Sequence, residues 1–195
     1  DPRQPADVEL RDARRHLPGV HVPLPGERQV RVHEEAIVHG QRVLDVAAGN
    51  GNASLAAARH WTHVTAIDYV PALLESAKER AKAEGLIIDF RQADAEALPF
   101  ETHSFDVVLS TFGVMFTPNQ EKAASELLRV CKRGGKIGLA NWTAEGFVGQ
   151  LFKILAKYVP PMPGVKSPMG WGTESRLQEL LGNSVSLFPK RRYFV

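Results

Sequence analysis

A parallel, doubly wound α/β sheet is the fold that the sequence predicts, and three observations predict it. From residue 41 onward, five short apolar runs alternate with helical stretches. The first run, Arg42-Val43-Leu44-Asp45-Val46, feeds into a glycine-bearing turn, Gly49-Asn50-Gly51. Acidic residues then stand where later runs end, at Asp68 and Asp94.

Local pattern justifies each element in turn. Arg42 to Val46 is short, apolar and bounded by turn signals, as a buried strand is. Asn52 to His60, rich in alanine and leucine, reads as a helix, and His63 to Asp68 as the second strand. Pro71 suits the first turn of a helix whose apolar stripe is Leu74, Ala77 and Ala81, with Gly85 as its stop. Leu86 to Arg91 is the third strand and Phe105 to Ser110 the fourth. Between them Asp94 to Leu98 has room for one short helical turn before Pro99. Glu121 to Cys131 sets Ala124, Leu127, Leu128 and Cys131 on one helical face, Gly134-Gly135 ends that helix, and Lys136 to Trp142 is the fifth strand. Beyond it the rhythm breaks. Phe147 to Tyr158 reads as a helix, Val159 to Gly172 as a loop, Glu174 to Leu181 as a short helix stopped by Gly182, and Val185 to Val195 as a sixth strand.

Residues 1–40 hold five of the thirteen prolines and no sustained period. They read as an N-terminal arm or lid ahead of a main domain at 41–195, with short helices at Arg11 to Leu17 and Val30 to Val38.

Composition limits the function. With 44% apolar and 24% charged residues in 195, the chain has an ordinary globular balance. Its 24 Lys+Arg against 22 Asp+Glu leave a net charge of +2, which argues against a nucleic-acid partner. The single cysteine, Cys131, excludes an internal disulfide and a Cys-rich zinc site, and reads as a small buried hydrophobe. Seven histidines show no ligand spacing, so no metal is expected; His16, His33 and His39 fall in the arm. No apolar run approaches the ~20 residues of a membrane span. No signal pattern follows Asp1, so the expected compartment is the cytoplasm.

In such sheets a ligand binds beyond the carboxyl ends of the strands. The candidate positions are therefore Asp45 to Gly51, Asp68, Asp94 and Ser110 to Phe116. Glycines let backbone approach a ligand, and the helix start behind them offers free N–H groups. A dinucleotide fingerprint would need a third glycine where Ser54 stands. Asp45, four residues before Gly49, instead suits the amine or bound water of a ligand's amino-acid portion. Bland readings compete: Asp45 bonding loop amides, Asp68 and Asp94 capping helices, and Phe112, Met115 and Phe116 filling the core.

These residues carry a resemblance. Val43-Leu44-Asp45-Val46-Ala47-Ala48-Gly49-Asn50-Gly51 resembles the first motif of class I S-adenosylmethionine-dependent methyltransferases, with Ala47 in place of the first glycine. Ala97-Leu98-Pro99-Phe100, Ser104 to Val108 and Leu127 to Gly135 resemble the family's later segments. The likeness is closest to the small-molecule branch that holds the ubiquinone/menaquinone-biosynthesis type C-methyltransferases, over about residues 41–182. It implies a Rossmann-like sheet with helices on both faces and S-adenosylmethionine as cofactor. It also implies a binding set of Asp45, Ala47, Gly49, Gly51, Asp68, Tyr69, Asp94 and Ala95, with Ser110, Thr111 and Phe112 near the methyl. Asp68 would take the ribose hydroxyls, and Asp94 with Ala95 the adenine.

The family's motifs for DNA amino groups, cytosine carbon and arsenic are missing, since Ser110-Thr111-Phe112-Gly113 follows the fourth strand and the one cysteine follows Val130. The expected partner is a small organic acceptor, methylated at carbon, oxygen or nitrogen, with no catalytic residue assigned. The resemblance calls for seven strands, of which Val185 to Val195 supplies the sixth. The antiparallel edge is then expected to be incomplete, and a homodimer is one way to complete it. Two rival readings remain: a nicotinamide-dependent oxidoreductase, disfavoured by Ser54 and by the lack of a Tyr-x-x-x-Lys pair, and a non-catalytic protein that binds S-adenosylmethionine.

Overall fold

The structure, a computed structural model, describes residues 28–29, 37–159, 163–182 and 185–191. The arm helix expected at Arg11 to Leu17, and 30–36 of the second one, lie outside the described residues.

Five parallel strands form the central sheet: β2 (Arg42–Val46), β3 (His63–Asp68), β4 (Ile88–Gln92), β5 (Phe105–Thr111) and β6 (Cys131–Ala140), in the order β4-β3-β2-β5-β6. The chain steps outward from β2 to β4, then crosses back to lay β5 on the other side of β2. The switch point is therefore the seam between β2 and β5. Val43, Leu44 and Val46 of β2 are fully buried, as expected for a strand covered on both faces.

Alternation along β2 divides the core. Val43 packs with Val64, Val107 and Ala57, the last from helix α1 (Asn52–Ala58). Leu44 and Val46 face the other way, into a larger cluster with Val108, Ala124 and Leu127. Ala124 and Leu127 belong to α3 (Gln120–Val130), which Asn119 caps by accepting the Lys122 N–H at 2.9 Å. Helix α2 (Pro71–Ala83) starts on its proline and buries Leu74, Ala77 and Ala81 as its spacing predicts.

Several boundaries differ from the sequence reading, four of them for a clear physical reason. The third strand begins at Ile88, because the Leu86 N–H donates to the Ala81 carbonyl at 2.9 Å and prolongs the end of α2. Gly134-Gly135 does not end α3; the helix stops at Val130 and β6 opens at Cys131. Residues 132–135 form a bulge, since pairing jumps from Phe105 with Cys131 to Val107 with Lys136, and Gly134 takes φ 72. The stretch read as a loop closes on a 3₁₀ turn, Pro168–Gly172. Finally, among the described residues 185–191 no sixth strand joins the sheet. There β7 (Lys190–Arg191) pairs antiparallel to β1 (Arg28–Gln29) in a separate two-stranded ribbon, and 192–195 of the expected strand lie outside the described residues. Pro189 has no N–H to offer a ladder, while Val185 and Leu187 pack on the core instead.

After β6 come helix α4 (Phe147–Leu155) and helix α5 (Glu174–Leu181), the latter capped by the Thr173 hydroxyl. Gln120 ties this region to α3: its Nε2 donates to the Lys166 and Ser167 carbonyls at 3.3 and 3.2 Å, and its Oε1 accepts from Arg176 at 3.0 Å. Glu121 adds ion pairs to Lys166 and Arg176, which hold its carboxyl down at about 2.

Candidate functional site at the β2/β5 seam

The turn after β2 is tightly wound. Ala47, Gly49 and Gly51 all take left-handed backbone, at φ 54, 57 and 84. Glycine accepts that freely, whereas an alanine at such φ carries strain on the order of 1–2 kcal/mol. Surrounding bonds hold the turn: Ala48 N–H donates to the Ile67 carbonyl and Gly51 N–H to the Ala48 carbonyl, each at 2.9 Å. A Cβ on Gly51 would lie 2.9 Å from the Cβ of Ala77, so the start of α1 also rests on α2.

Asp68 anchors the same turn from the end of β3. Its Oδ2 accepts the Gly49 N–H at 2.8 Å and its Oδ1 the Val70 N–H at 2.9 Å, in a buried position. A carboxylate oxygen has two acceptor sites, so each still has one to offer a ligand hydroxyl.

Asp45 is fully buried one residue before the end of β2. Its Oδ2 accepts the Ser54 hydroxyl at 2.6 Å, and its Oδ1 has no partner among the described residues. Burial pushes the carboxyl up to about 7; the Ser54 bond opposes this, and the charge of Asp68 adds to it. A donor or cation placed at Oδ1 would supply the missing partner.

The turn after β5 forms the other wall. Ser110 is fully buried, and its hydroxyl donates to the Val46 carbonyl at 2.8 Å and accepts the Val114 N–H at 3.0 Å. That side chain therefore knits β5 to β2. Thr111 is exposed. Phe112 sits at φ 60, donates its N–H to the Ala140 carbonyl at 2.9 Å, and stacks on Trp142 with centroids 4.0 Å apart. Of the aromatic and methionine trio, Met115 is core, Phe116 is exposed, and Phe112 lies between. Tyr69 is exposed beside Asp68. Asp94 is exposed too, its Oδ1 accepting the Glu96 N–H at 2.8 Å, while Ala95 is buried.

The structure thus gathers Asp45, Ala47, Gly49, Gly51 and Asp68 on one bonded turn, places Ser110 to Phe112 across the seam, and puts Asp94 and Ala95 just past β4. Sequence reasoning missed two residues that build the site, Ser54 and Gly113, and two buried polar side chains, Asn141 and Trp171. Ser54 was read only as an absent glycine, yet its hydroxyl serves Asp45. Gly113 leaves no room for a side chain, since a Cβ there would lie 2.4 Å from the Ala47 carbonyl. Asn141 and Trp171 are buried with side-chain polar atoms unpartnered among the described residues. No sequence signal separates these from ordinary core residues, except that Asn141 follows the end of a strand. Among the described residues no cluster of His, Cys, Asp or Glu could hold a metal, and no helix is long and apolar enough to cross a membrane.

A doubly wound sheet with a glycine turn and two acids at the carboxyl ends of its first two strands defines an α/β domain of the class whose ligand crevice lies at the switch point. The family follows from comparison. A methyltransferase domain model matches residues 44–139. Phosphatidylethanolamine N-methyltransferase of Cereibacter sphaeroides is 32% identical over 157 residues, which are 78% of this chain and 72% of that protein. Demethylmenaquinone methyltransferase of Renibacterium salmoninarum is 41% identical over 132 residues, 68% of this chain and 54% of the relative. A solved structure from Bacillus halodurans, assigned as a methyltransferase, superposes with a TM-score of 0.64 at 25% identity, covering 77% of this chain and 65% of that one. The chain belongs to the methyltransferase family, whose cofactor is S-adenosylmethionine. It spans 60% of the length of an uncharacterized Mycobacterium tuberculosis protein that it matches at 49% identity over 164 residues.

The residues fit that cofactor. Its amino-acid end carries an ammonium, the chemistry that the unpartnered, buried Oδ1 of Asp45 lacks.

Proposed function

We propose that this chain transfers a methyl group from S-adenosylmethionine to a small organic acceptor, with catalysis by positioning and exclusion of water. The observation that carries the reading is the unpartnered oxygen of Asp45 beside the left-handed turn at Ala47, Gly49 and Gly51. Asp45 receives the ammonium, directly or through one water, while that turn lends its backbone to the carboxylate end. Asp68 accepts the ribose hydroxyls on its remaining acceptor sites, and Tyr69 covers them. Asp94 binds the adenine by its side chain and Ala95 by its backbone N–H.

The cofactor supplies an electrophilic methyl carried on a sulfonium, so little covalent work is left to the protein. Thr111 and Phe112, at the end of β5, keep an acceptor in line and water away, while Ser110 fixes the turn that presents them. Stacking on Trp142 sets the Phe112 ring as a rigid wall. The two named relatives act on a quinone and on a phospholipid amine, so carbon and nitrogen acceptors both fall within reach of this fold.

Titration calorimetry with S-adenosylmethionine, its demethylated product and NAD tests the reading. Both sulfur nucleosides should bind, and Asp45→Asn should weaken S-adenosylmethionine by roughly 1–3 kcal/mol, as loss of a charged hydrogen bond does. Binding of NAD alone would overturn it.

A further inference from the structure

Helix α4 does not bury its apolar side. Phe147, Leu151, Ile154, Leu155 and Tyr158 recur at i, i+4, i+7, i+8 and i+11, which is one stripe of a helix and the turn that prolongs it. All five are exposed, from 40% at Leu151 to 79% at Tyr158. Gln150, Lys153 and Lys157 run along one flank of that stripe, exposed as well. The helix is moored by its first turns alone: Gly149 is its buried residue, and a Cβ there would lie 2.3 Å from the Thr143 carbonyl. A stripe of this size left open marks an interaction surface.

Charge selects the partner. From Gly146 to Thr173 the sequence carries Lys153, Lys157 and Lys166 and no acidic residue. Lys166 is taken up by Glu121, but among the described residues no carboxylate pairs with Lys153 or Lys157. An apolar stripe of Phe, Leu and Ile, lysines along its polar side and a tyrosine at its end is the pattern of a helix lying in a lipid interface. Position gives the docking a purpose. Phe152 of α4 meets Phe116, just past the end of β5, with ring centroids 6.1 Å apart, so the helix stands at the mouth of the seam.

We propose that α4 docks on an anionic lipid surface through this stripe, presenting the mouth of the β2/β5 seam to the membrane. Docking holds whichever atom the acceptor offers, and rests on the methyl-transfer reading only for its purpose.

Co-sedimentation of the full chain with vesicles tests it, using phosphatidylcholine alone and phosphatidylcholine mixed with phosphatidylserine. The chain should pellet with the mixed vesicles, and added salt should weaken that binding. The double substitution Leu151→Glu/Leu155→Glu should lower it about tenfold or more. Lys153→Gln/Lys157→Gln should lower it on the order of tenfold on mixed vesicles and leave little preference between the two compositions. Leu151→Gln/Leu155→Gln gives a milder pair should the glutamates disturb folding, as read by circular dichroism. Wild-type protein that stays in the supernatant with both vesicles overturns the proposal. So does undiminished binding by either leucine variant, or a dimer on gel filtration that those variants split without any vesicle binding. Calorimetry with S-adenosylmethionine on the same samples separates the two readings: cofactor binding without vesicle binding sinks the docking alone, and the reverse sinks methyl transfer alone.

Discussion

Ala47 and Gly113 pack so closely that the second must be glycine. A Cβ on Gly113 would fall 2.4 Å from the Ala47 carbonyl oxygen and 2.5 Å from its Cβ, both far inside contact distance. The turn after β5 thereby rests on the turn after β2, and any shift of one is felt by the other. Gly113→Ala should cost about 1–3 kcal/mol in denaturant unfolding, the range for overpacking a tight contact. It should also weaken S-adenosylmethionine, because the left-handed turn at Ala47 must move to make room. Full affinity in that variant would separate the two turns.

Asp68 holds the turn and, in the proposed reading, also faces the ribose, and a comparison of two substitutions separates these roles. Its two oxygens hold the Gly49 and Val70 amides at 2.8 and 2.9 Å. Asp68→Ala removes both bonds and should weaken the cofactor and destabilise the fold, each by about 1–3 kcal/mol. Asp68→Asn keeps one carbonyl acceptor and should recover part of the stability, while a ribose that needs two acceptors still binds poorly. Calorimetry paired with thermal melts checks this; equal losses in both measurements for both variants would assign Asp68 to the fold alone.

Much of this was legible beforehand for a physical reason. Buried parallel strands must be apolar and short, so β2, β3 and β5 announce themselves, and Pro71 with Gly85 brackets α2 from both sides. Asp45 and Asp68 were legible because an acid at the end of an apolar strand contradicts its surroundings unless a partner waits. Ser54 and Gly113 were not, since their roles depend on contacts across 9 residues in one case and on a backbone approach between distant turns in the other. The bulge at 132–135 escaped for the same reason: glycines that stop a helix and glycines that kink a strand look alike until pairing is known.

Asp45 predicts a pH dependence with a definite sign. Its carboxyl has an ordinary value of 3.8 and is pushed to about 7 in the fold, chiefly by burial. The folded chain therefore holds the proton more tightly than the unfolded chain. The stability this gives is complete below 3.8 and is lost as pH rises through about 7. Asp45→Asn, which keeps an acceptor for Ser54 and cannot ionise, should match wild type at the acid end and exceed it at the alkaline end, by on the order of 1–4 kcal/mol. Melting curves of the two proteins across that window read the difference directly. Added S-adenosylmethionine should narrow the gap by stabilising wild type more than the variant, because an ammonium beside the carboxylate removes the penalty for ionising it.

Asn141 sets the last test, because its side chain is buried with neither its oxygen nor its nitrogen bonded among the described residues. Nearby backbone is tightly packed, since a Cβ on Gly172 would lie 2.2 Å from the Trp142 carbonyl, and the indole N–H of buried Trp171 is likewise unpartnered among the described residues. An amide kept from water without partners costs about 1–3 kcal/mol, and an apolar group of similar shape avoids that cost. Asn141→Leu should therefore raise the stability of the free protein by about that amount and leave S-adenosylmethionine affinity unchanged. A destabilised variant would mean that the amide is held by an ordered water, whose loss strands its partners. A more stable variant with normal cofactor binding but lost turnover, across a panel of phenols, quinols and amines, would place the amide against the acceptor itself. Its position directly after the carboxyl end of β6, next to the Trp142 ring on which Phe112 stacks, makes that the outcome to expect.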